Sequence, residues 1–91
     1  MSEFRDNKDR ARFEWREQGD VAFADYRLGP TGVHAITHVD TPPRLRGQGV
    51  AGRLMHAVVA HARAEGFKVE PHCSYVVAYF RRTPAAHDVL A

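Results

Sequence analysis

Three residues near the middle of the chain, Arg44, Gly47 and Gly49, combine a cation with two glycines at the spacing R-x-x-G-x-G. Two prolines precede them, and a segment with helical periodicity follows. At a strand-to-helix junction, successive backbone amides point into one concavity that also carries the positive end of the helix dipole. Glycines let an anion approach the main chain closely. The spacing therefore predicts an anion site, at which Arg44, Arg46 and Arg53 supply mobile positive charge for phosphates.

The same stretch also contains the dinucleotide-binding pattern G-x-G-x-x-G, at Gly47, Gly49 and Gly52. An acid about twenty residues further on would contact the ribose, and Glu70 is well placed for that role. However, the first glycine should follow its strand closely, and here a long segment separates it from Val39. A phosphate loop of the Walker type is disfavoured further, because no Lys-Ser or Lys-Thr pair follows the glycines. The anion-site interpretation is favoured over both.

Cys73 and His38 are the side chains best suited to take part in a reaction. Cys73 is the one cysteine of the chain, so it is either a small buried side chain or a reactive thiol. His38 is expected at the end of a strand facing the cleft, as a general base, as a group that orients an acceptor, or as an exposed histidine without a role. No cysteine and histidine cluster has zinc-site spacing, and His34 and His38 would lie about 13 Å apart on a strand. No metal is expected.

The elements that position these residues follow from the apolar periodicity. Alternating apolar and polar residues predict three antiparallel strands in meander order, separated by short turns rich in glycine. These strands are expected at residues 12–17, 21–28 and 33–39. The charged segment before them, residues 1–11, is interpreted as a frayed end or a short edge strand.

The second half of the chain changes to helical periodicity. Apolar residues recur at i+4 over residues 49–65, which predicts an amphipathic helix that Gly66 ends in the left-handed conformation. A strand at 67–71 should then pair in parallel with the third meander strand. A second helix is expected at 74–82, and a last turn at 85–90. The predicted fold class is α/β, with an antiparallel meander, a β-α-β unit and a short C-terminal helix in a single domain.

Composition excludes several classes of protein. The 91 residues carry a formal net charge of +2, and the basic side chains are scattered, so a nucleic-acid partner is not expected. Apolar runs are short and the N-terminus is charged, which argues against a membrane span or signal peptide. We expect a soluble, cytoplasmic protein that is a monomer or a weak dimer.

The sequence resembles a known family, the GCN5-related N-acetyltransferases, whose acetyl-coenzyme A signature is R-x-x-G-x-G at a strand-to-helix junction. It is most similar to their short, single-domain, YjdJ-like or N-acetyltransferase-domain-containing branch. The resemblance covers nearly the whole chain. The matching residues are Asn7, Arg12-Phe13-Glu14, Ile36, His38, Pro42-Pro43-Arg44-Leu45-Arg46-Gly47-Gln48-Gly49 and Pro71-His72-Cys73-Ser74-Tyr75-Val76.

The resemblance implies that acetyl-coenzyme A lies in a V-shaped gap between the third meander strand and the strand at 67–71. The pantetheine would add to the strand edge near Val39 and Thr41. The reaction would be direct attack of an amine on the thioester, with positioning and proton transfer as the main contributions of the protein. The pyrophosphate would rest on the backbone amides of Leu45, Arg46, Gly47, Gln48, Gly49, Val50 and Ala51.

The resemblance also implies roles for residues at the start of the second helix. Cys73 is expected beside the thioester, where a helix N-terminus favours the thiolate. Many members of the family protonate the leaving thiolate with a tyrosine at the position that is Phe80 here, which leaves Tyr75 or Tyr79 as substitutes. Of these two, we expect Tyr79 to be the acid and also to contact the cofactor.

The acceptor is an amine of unknown identity, on a small molecule or a protein. The chain lacks the additional N-terminal strand-helix units that usually build the acceptor site in the family. A CoA-binding module without turnover is therefore the alternative to an acetyltransferase. The retained Cys73 and phosphate loop favour catalysis, whereas Phe80 favours binding alone.

Overall fold

A computed structural model describes residues 2–91 of the chain. The first half forms four strands, and the second half forms two helices and a fifth strand. Short 3₁₀ turns lie at Pro30–Gly32, Pro43–Leu45 and Pro84–Val89. The strands are β1 (Ser2–Asn7), β2 (Arg12–Glu17), β3 (Asp20–Leu28), β4 (Val33–Asp40) and β5 (Lys68–Pro71), and the helices are α1 (Val50–Glu65) and α2 (Ser74–Arg81).

The five strands form one mixed sheet in the order β1-β2-β3-β4-β5. Strands β1 to β4 pair antiparallel, and β5 pairs in parallel with β4. The predicted α/β class, the meander and the β-α-β unit are therefore confirmed. Of the two interpretations of the N-terminal segment, the edge strand is correct, because β1 pairs with β2 along its whole length.

Helix α1 covers one face of the sheet with the apolar stripe that its periodicity predicted. Leu54 and Val58 are fully buried, as are Ala22 and Ala24 on β3. Burial of a side chain such as Leu54 stabilises the fold by roughly 1.5–3 kcal/mol. The small alanines let the helix backbone approach the strand closely.

Helix α2 and the C-terminal 3₁₀ turn lie on the same side of the sheet as α1. Arg63 of α1 donates to both carboxylate oxygens of Asp88 in that turn, with Nε–Oδ2 at 2.7 Å and Nη2–Oδ1 at 2.8 Å. The chain ends beside β5, where the amide of Ala91 donates to the carbonyl of Val69 at 2.8 Å. The outer edge of β5 is thus partly capped by the C-terminus.

The opposite face of the sheet is uncovered by helices among residues 2–91. The side chains on this face alternate along each strand with the buried side chains. On β3, for example, Phe23 and Asp25 lie on either side of the buried Ala24. The guanidinium of Arg12 lies 3.8 Å over the ring of Phe23, and its Nε lies 3.3 Å from Oδ1 of Asp25. Arginine thus shields this aromatic ring from solvent. We refer to this surface below as the open face.

Strands β4 and β5 separate after Ile36. β5 ends at Pro71, opposite Ile36, whereas β4 continues to Asp40. A bulge leaves Thr37 without a register partner in β3. Ile36 pairs with Tyr26, and His38 pairs with Asp25, the residue just before Tyr26. The edge of β4 that faces away from β3 is therefore unpaired over residues 37–40 in the described chain. This gap corresponds to the V that the resemblance implied.

Within residues 2–91, neither helix is long and apolar enough to cross a lipid bilayer.

Candidate functional site

The loop between β4 and α1 begins with a 3₁₀ turn that is anchored in the core. The side chain of Leu45 is 1% exposed, which fixes the turn to the protein interior. The amide of Leu45 donates to the carbonyl of Pro42 at 2.9 Å, and that of Arg46 donates to Pro43 at 3.3 Å. These two amides are consequently occupied by the turn itself, and the anion-binding capacity of the loop lies further along the chain.

Two glycines then redirect the chain into α1. Gly47 and Gly49 have φ of 76° and 75°, in the left-handed region where a side chain is strained. Gly49 is the residue before the first turn of α1. Residues 46–49 form a turn, and in the described structure no backbone amide of residues 47–52 makes a well-formed hydrogen bond to a protein acceptor. These amides form a cluster of available donors at the positive end of the α1 dipole, and their contact with an anion stays a prediction.

A cavity of about 250 Å³ opens over this cluster. Among its walls are Thr41 from the end of β4 and Tyr75 from α2. The ring of Tyr75 reaches across to α1, because a Cβ built on Gly52 would lie 3.9 Å from the Tyr75 hydroxyl. The remaining lining residues are Leu45, Arg46, Gly47, Gly49, Val50, Ala51 and Gly52.

A larger cavity of about 410 Å³ lies at the other end of α1, beside Gly66. Its cations are already bonded, since Arg63 and Lys68 both donate to Asp88. The helix end there presents carbonyl groups, which repel anions. The cavity over residues 47–52 is thus the better anion site.

The arginines around the loop each have a hydrogen-bond or ion-pair partner within the chain. Arg53 donates to both carboxylate oxygens of Glu17, at 3.0 and 2.8 Å. The hydrogen bond from Arg53 is the main reason that the pKa of Glu17 is lowered. Arg44 lies 3.3 Å from the carboxylate of Asp20, and Nε of Arg46 donates to the carbonyl of Thr41 at 2.8 Å.

The other residues predicted around the cofactor are spread over the loop and strand. Gln48 is exposed and donates through Nε2 to the carbonyl of Arg44 at 2.8 Å, which stiffens the loop. Val39 is half-buried on β4 and packs against the core. Neither residue nor Arg44 lines the cavity. Their contact with a cofactor stays a prediction.

Cys73 and His38 lie near the start of the gap between β4 and β5. Cys73 is the residue before the first turn of α2 and is partly buried against the core. His38 is exposed, and its ring centroid lies 6.2 Å from that of Phe23 on the open face. Helix α2 therefore presents Cys73 at one side of the gap, while β4 carries His38 on the other. Their catalytic roles stay predictions.

Tyr79 and Phe80 point into the protein. Tyr79 is 7% exposed and packs edge-on against Phe80, with ring centroids 5.6 Å apart. Burial raises the pKa of Tyr79, which stabilises the protonated phenol that an acid requires. Tyr79 does not line the cavity over the loop, whereas Tyr75 does. Its assignment as the acid and as a cofactor contact stays a prediction.

Sequence reasoning missed two features of this region. The sequence does not indicate that Tyr75 is a wall of this cavity, and the role of Tyr75 as an acid stays a prediction. Glu70 was considered for a ribose contact, and it is instead hydrogen-bonded to His72 at 2.6 Å. Glu70 and His72 are two residues apart, which in extended chain puts both side chains on the same side of the sheet. That spacing could have predicted their contact. Among residues 2–91, no group of three or more potential ligands is arranged to hold a metal ion.

The site thus combines two parallel strands that separate at one end with a cluster of amides at the N-terminus of the helix between them. The family model described as GCN5-related N-acetyl-transferase matches residues 12–89. The structure is similar to the NMR solution structure of a GCN5-like protein from Staphylococcus aureus, described as an inferred N-acetyltransferase. That match has a TM-score of 0.75 and 27% identity, and it covers 98% of this chain and 87% of the other. No curated protein matches the chain.

The chain belongs to the GCN5-related N-acetyltransferase family, and it is an acetyltransferase. Members of the family generally use acetyl-CoA as co-substrate. The resemblance stated from the sequence is thereby confirmed at the level of the superfamily.

Proposed function

We propose that the protein transfers the acetyl group of acetyl-CoA to an amine and holds the pyrophosphate at the amide cluster of residues 47–52. The observation that carries this proposal is the set of unpaired amides at the start of α1, under a cavity of about 250 Å³. Each amide that donates to a phosphate oxygen makes a charge-assisted hydrogen bond, stronger than a neutral one. The helix dipole adds to the attraction.

The walls of the cavity support the same ligand. Gly47 has open space where a Cβ would project, so a phosphate can contact its main chain. Tyr75 offers a phenol hydroxyl opposite the amides. The amide set we propose is residues 47–52, because Leu45 and Arg46 use their amides in the 3₁₀ turn. These two residues contribute to the site as walls.

The unpaired edge of β4 supports a site for the pantetheine arm. Residues 37–40 have backbone groups that face the gap and lack a strand partner in the described chain. An amide-containing chain that lies there gains hydrogen bonds of the kind a β-strand makes. Val39 and Thr41 lie on this path between Ile36 and the phosphate loop.

The thioester of acetyl-CoA supplies an activated acetyl group for attack by an amine. The chain contributes by holding the thioester at the apex of the gap, near Cys73, and by leaving the open face accessible to the acceptor. Orientation of two reactants in this way accounts for a large part of the acceleration in such reactions. Cys73, His38 and Tyr79 are the candidate groups for proton management or for a covalent step.

The proposal is tested by measuring free CoA thiol released from acetyl-CoA over a panel of alkylamines, polyamines and lysine peptides. We expect amine-dependent release and a rise in melting temperature with CoA but not with NAD. A chain that is stabilised by NAD alone, or that releases no CoA with any amine, would contradict the proposed function.

A further inference from the structure

A carboxylate and an imidazole are paired on the open face, apart from the residues assigned above. Nε2 of His72 lies 2.6 Å from Oε1 of Glu70. The two side chains are 49% and 51% exposed, so a molecule on the open face can reach both. An imidazole held by a carboxylate is the arrangement that many enzymes use to orient a base.

The strand register fixes the side of the sheet on which the pair lies. Glu70 is opposite Ala35 of β4, which in turn is opposite Arg27 of β3. Arg27 alternates with the buried Tyr26, so these three residues face away from α1. His72 shares that side because it is bonded to Glu70.

The pair also lies where the two parallel strands separate. The amide of His72 donates to the carbonyl of Ile36 at 2.9 Å, and this is the last backbone contact before the gap. The next residue is Cys73, at the start of α2. The pair therefore occupies the apex of the gap, on the side from which an acceptor would approach.

We propose that His72 is the base that removes a proton from the acceptor ammonium, and that Glu70 is its positioning residue. This inference rests on the proposed function. Since a carboxylate accepts hydrogen bonds, the hydrogen of the neutral imidazole lies on Nε2. Nδ1 of His72 then keeps its lone pair for the substrate, and Glu70 stabilises the imidazolium that forms.

The proposed step is balanced without any further reactant. His72 Nδ1 takes one proton from R–NH₃⁺, which leaves a neutral R–NH₂ with a free electron pair. That nitrogen bonds to the acetyl carbon, the carbon–sulfur bond breaks, and the thiolate takes the second proton lost by nitrogen. The products are the acetylated amine and CoA thiol, and His72 returns its proton to solvent.

Other charged groups near the pair do not take over its role. Lys68 of β5 is directed away, because its ammonium donates to the carbonyl of Asp88. His38 lies on β4, opposite Asp25 of β3, and is the rival base. The other ionisable groups on β4, α2 and the C-terminal 3₁₀ turn are His34, Asp40, Tyr75, Tyr79, Arg81, His87 and Asp88, with Cys73 just before α2 and Arg27 on β3.

The test compares kcat/KM for two acceptors, butylamine and hydroxylamine, across a range of pH. Butylamine is an ammonium at neutral pH and needs a base, whereas hydroxylamine is already neutral. We expect His72→Gln to lower kcat/KM for butylamine by about 10²-fold. The loss with hydroxylamine should be several-fold smaller, and the ionisation on the acid side of the butylamine profile should disappear.

Glu70→Gln should lower the butylamine rate by about tenfold, while KM for acetyl-CoA stays unchanged. His56→Gln is the matched control, because His56 is an exposed histidine on α1. This variant should leave kcat/KM unchanged for both acceptors. Calorimetric titration with acetyl-CoA checks that each variant is folded and loaded.

Four outcomes would overturn the assignment. Equal losses with both amines, or a retained ionisation in His72→Gln, would remove His72 from proton transfer while leaving the proposed function intact. Loss of the ionisation in His38→Gln alone would assign the base to His38. A wild-type protein that acetylates neither amine would refute the proposed function, and this inference with it.

Discussion

Arg53 and Glu17 form a bidentate ion pair that joins the first turn of α1 to the β2–β3 hairpin. Nε and Nη2 of Arg53 lie 3.0 and 2.8 Å from the two carboxylate oxygens. The same guanidinium lies beside the loop that precedes α1, since a Cβ on Gly49 would be 3.3 Å from Arg53 Nη1. The hairpin therefore holds a cation next to the proposed pyrophosphate site and adds a negative charge there.

Replacement of that negative charge is expected to strengthen CoA binding. Glu17→Gln keeps a hydrogen-bond acceptor for Arg53 but removes an anion near the phosphates. We expect affinity to rise about two- to fivefold at low salt, and the gain to vanish at high salt because surface charges are screened. Calorimetric titration at two ionic strengths measures this effect. Weaker binding would mean that Glu17 is needed to aim Arg53 at the ligand.

A carboxylate placed in the loop is expected to weaken CoA binding at least tenfold. Gly47→Glu introduces a like charge against the pyrophosphate and strains a left-handed residue. Gly66→Glu is the matched control, because Gly66 has φ of 79° and open space around its missing Cβ, as Gly47 has, but lies at the other end of α1. Both variants should lose similar stability, roughly 1 kcal/mol. Only Gly47→Glu should bind CoA at least tenfold more weakly; equal losses in affinity would contradict the assignment.

A covalent role for Cys73 has a simple signature. If the thiol carries the acetyl group during turnover, acetyl-CoA without an amine should add one acetyl mass to the wild type and none to Cys73→Ser. Intact-mass spectrometry after rapid quenching measures this addition. An unmodified wild-type protein that still turns over would assign direct attack by the amine.

Stability should fall on acidification because of His34. Its ring is stacked on Phe67, with centroids 3.7 Å apart, and burial lowers its pKa below the ordinary 6.5. The unfolded chain therefore binds this proton more readily than the folded one. The contribution of neutral His34 is fully present above about pH 6.5, and it is lost as the pH falls from that value toward the folded pKa.

His34→Gln is expected to show a shallower decline in the free energy of unfolding between pH 8 and pH 5 than the wild type. Urea unfolding at several pH values measures it, with His56→Gln as a control that retains the wild-type slope. A His34→Gln protein with an unaltered slope would show that other groups carry the acid sensitivity.

Most of the fold follows from local patterns in the sequence. The hairpin at Gln18 and Gly19 has positive φ at both residues, 51° and 80°, as a two-residue turn requires. The i+4 stripe of α1 and the stop at Gly66 also agree with the structure. These features depend on neighbouring residues, so periodicity and turn chemistry were sufficient to predict them.

The parts of the site that the sequence did not predict depend on contacts between distant segments. The pairing of Arg53 with Glu17 joins residues far apart in the chain, and no local pattern indicates it. The position of Tyr75 beside Gly52 depends on how α2 packs against α1. The two prolines indicate a bend, but they do not indicate the 3₁₀ turn in which the amide of Leu45 is hydrogen-bonded. Each of these is set by tertiary packing rather than by residue spacing.

The central claim is that the free amides of residues 47–52 bind the pyrophosphate of CoA, and amide NMR measures this directly. The ¹⁵N-labelled chain is titrated with CoA, with adenosine 3′,5′-bisphosphate, which lacks the pyrophosphate, and with pantetheine. We predict that CoA gives the largest shifts at residues 47–52 and that pantetheine leaves these amides unshifted while it perturbs residues 37–40. Saturating CoA that leaves the amides of residues 47–52 unshifted would contradict the account.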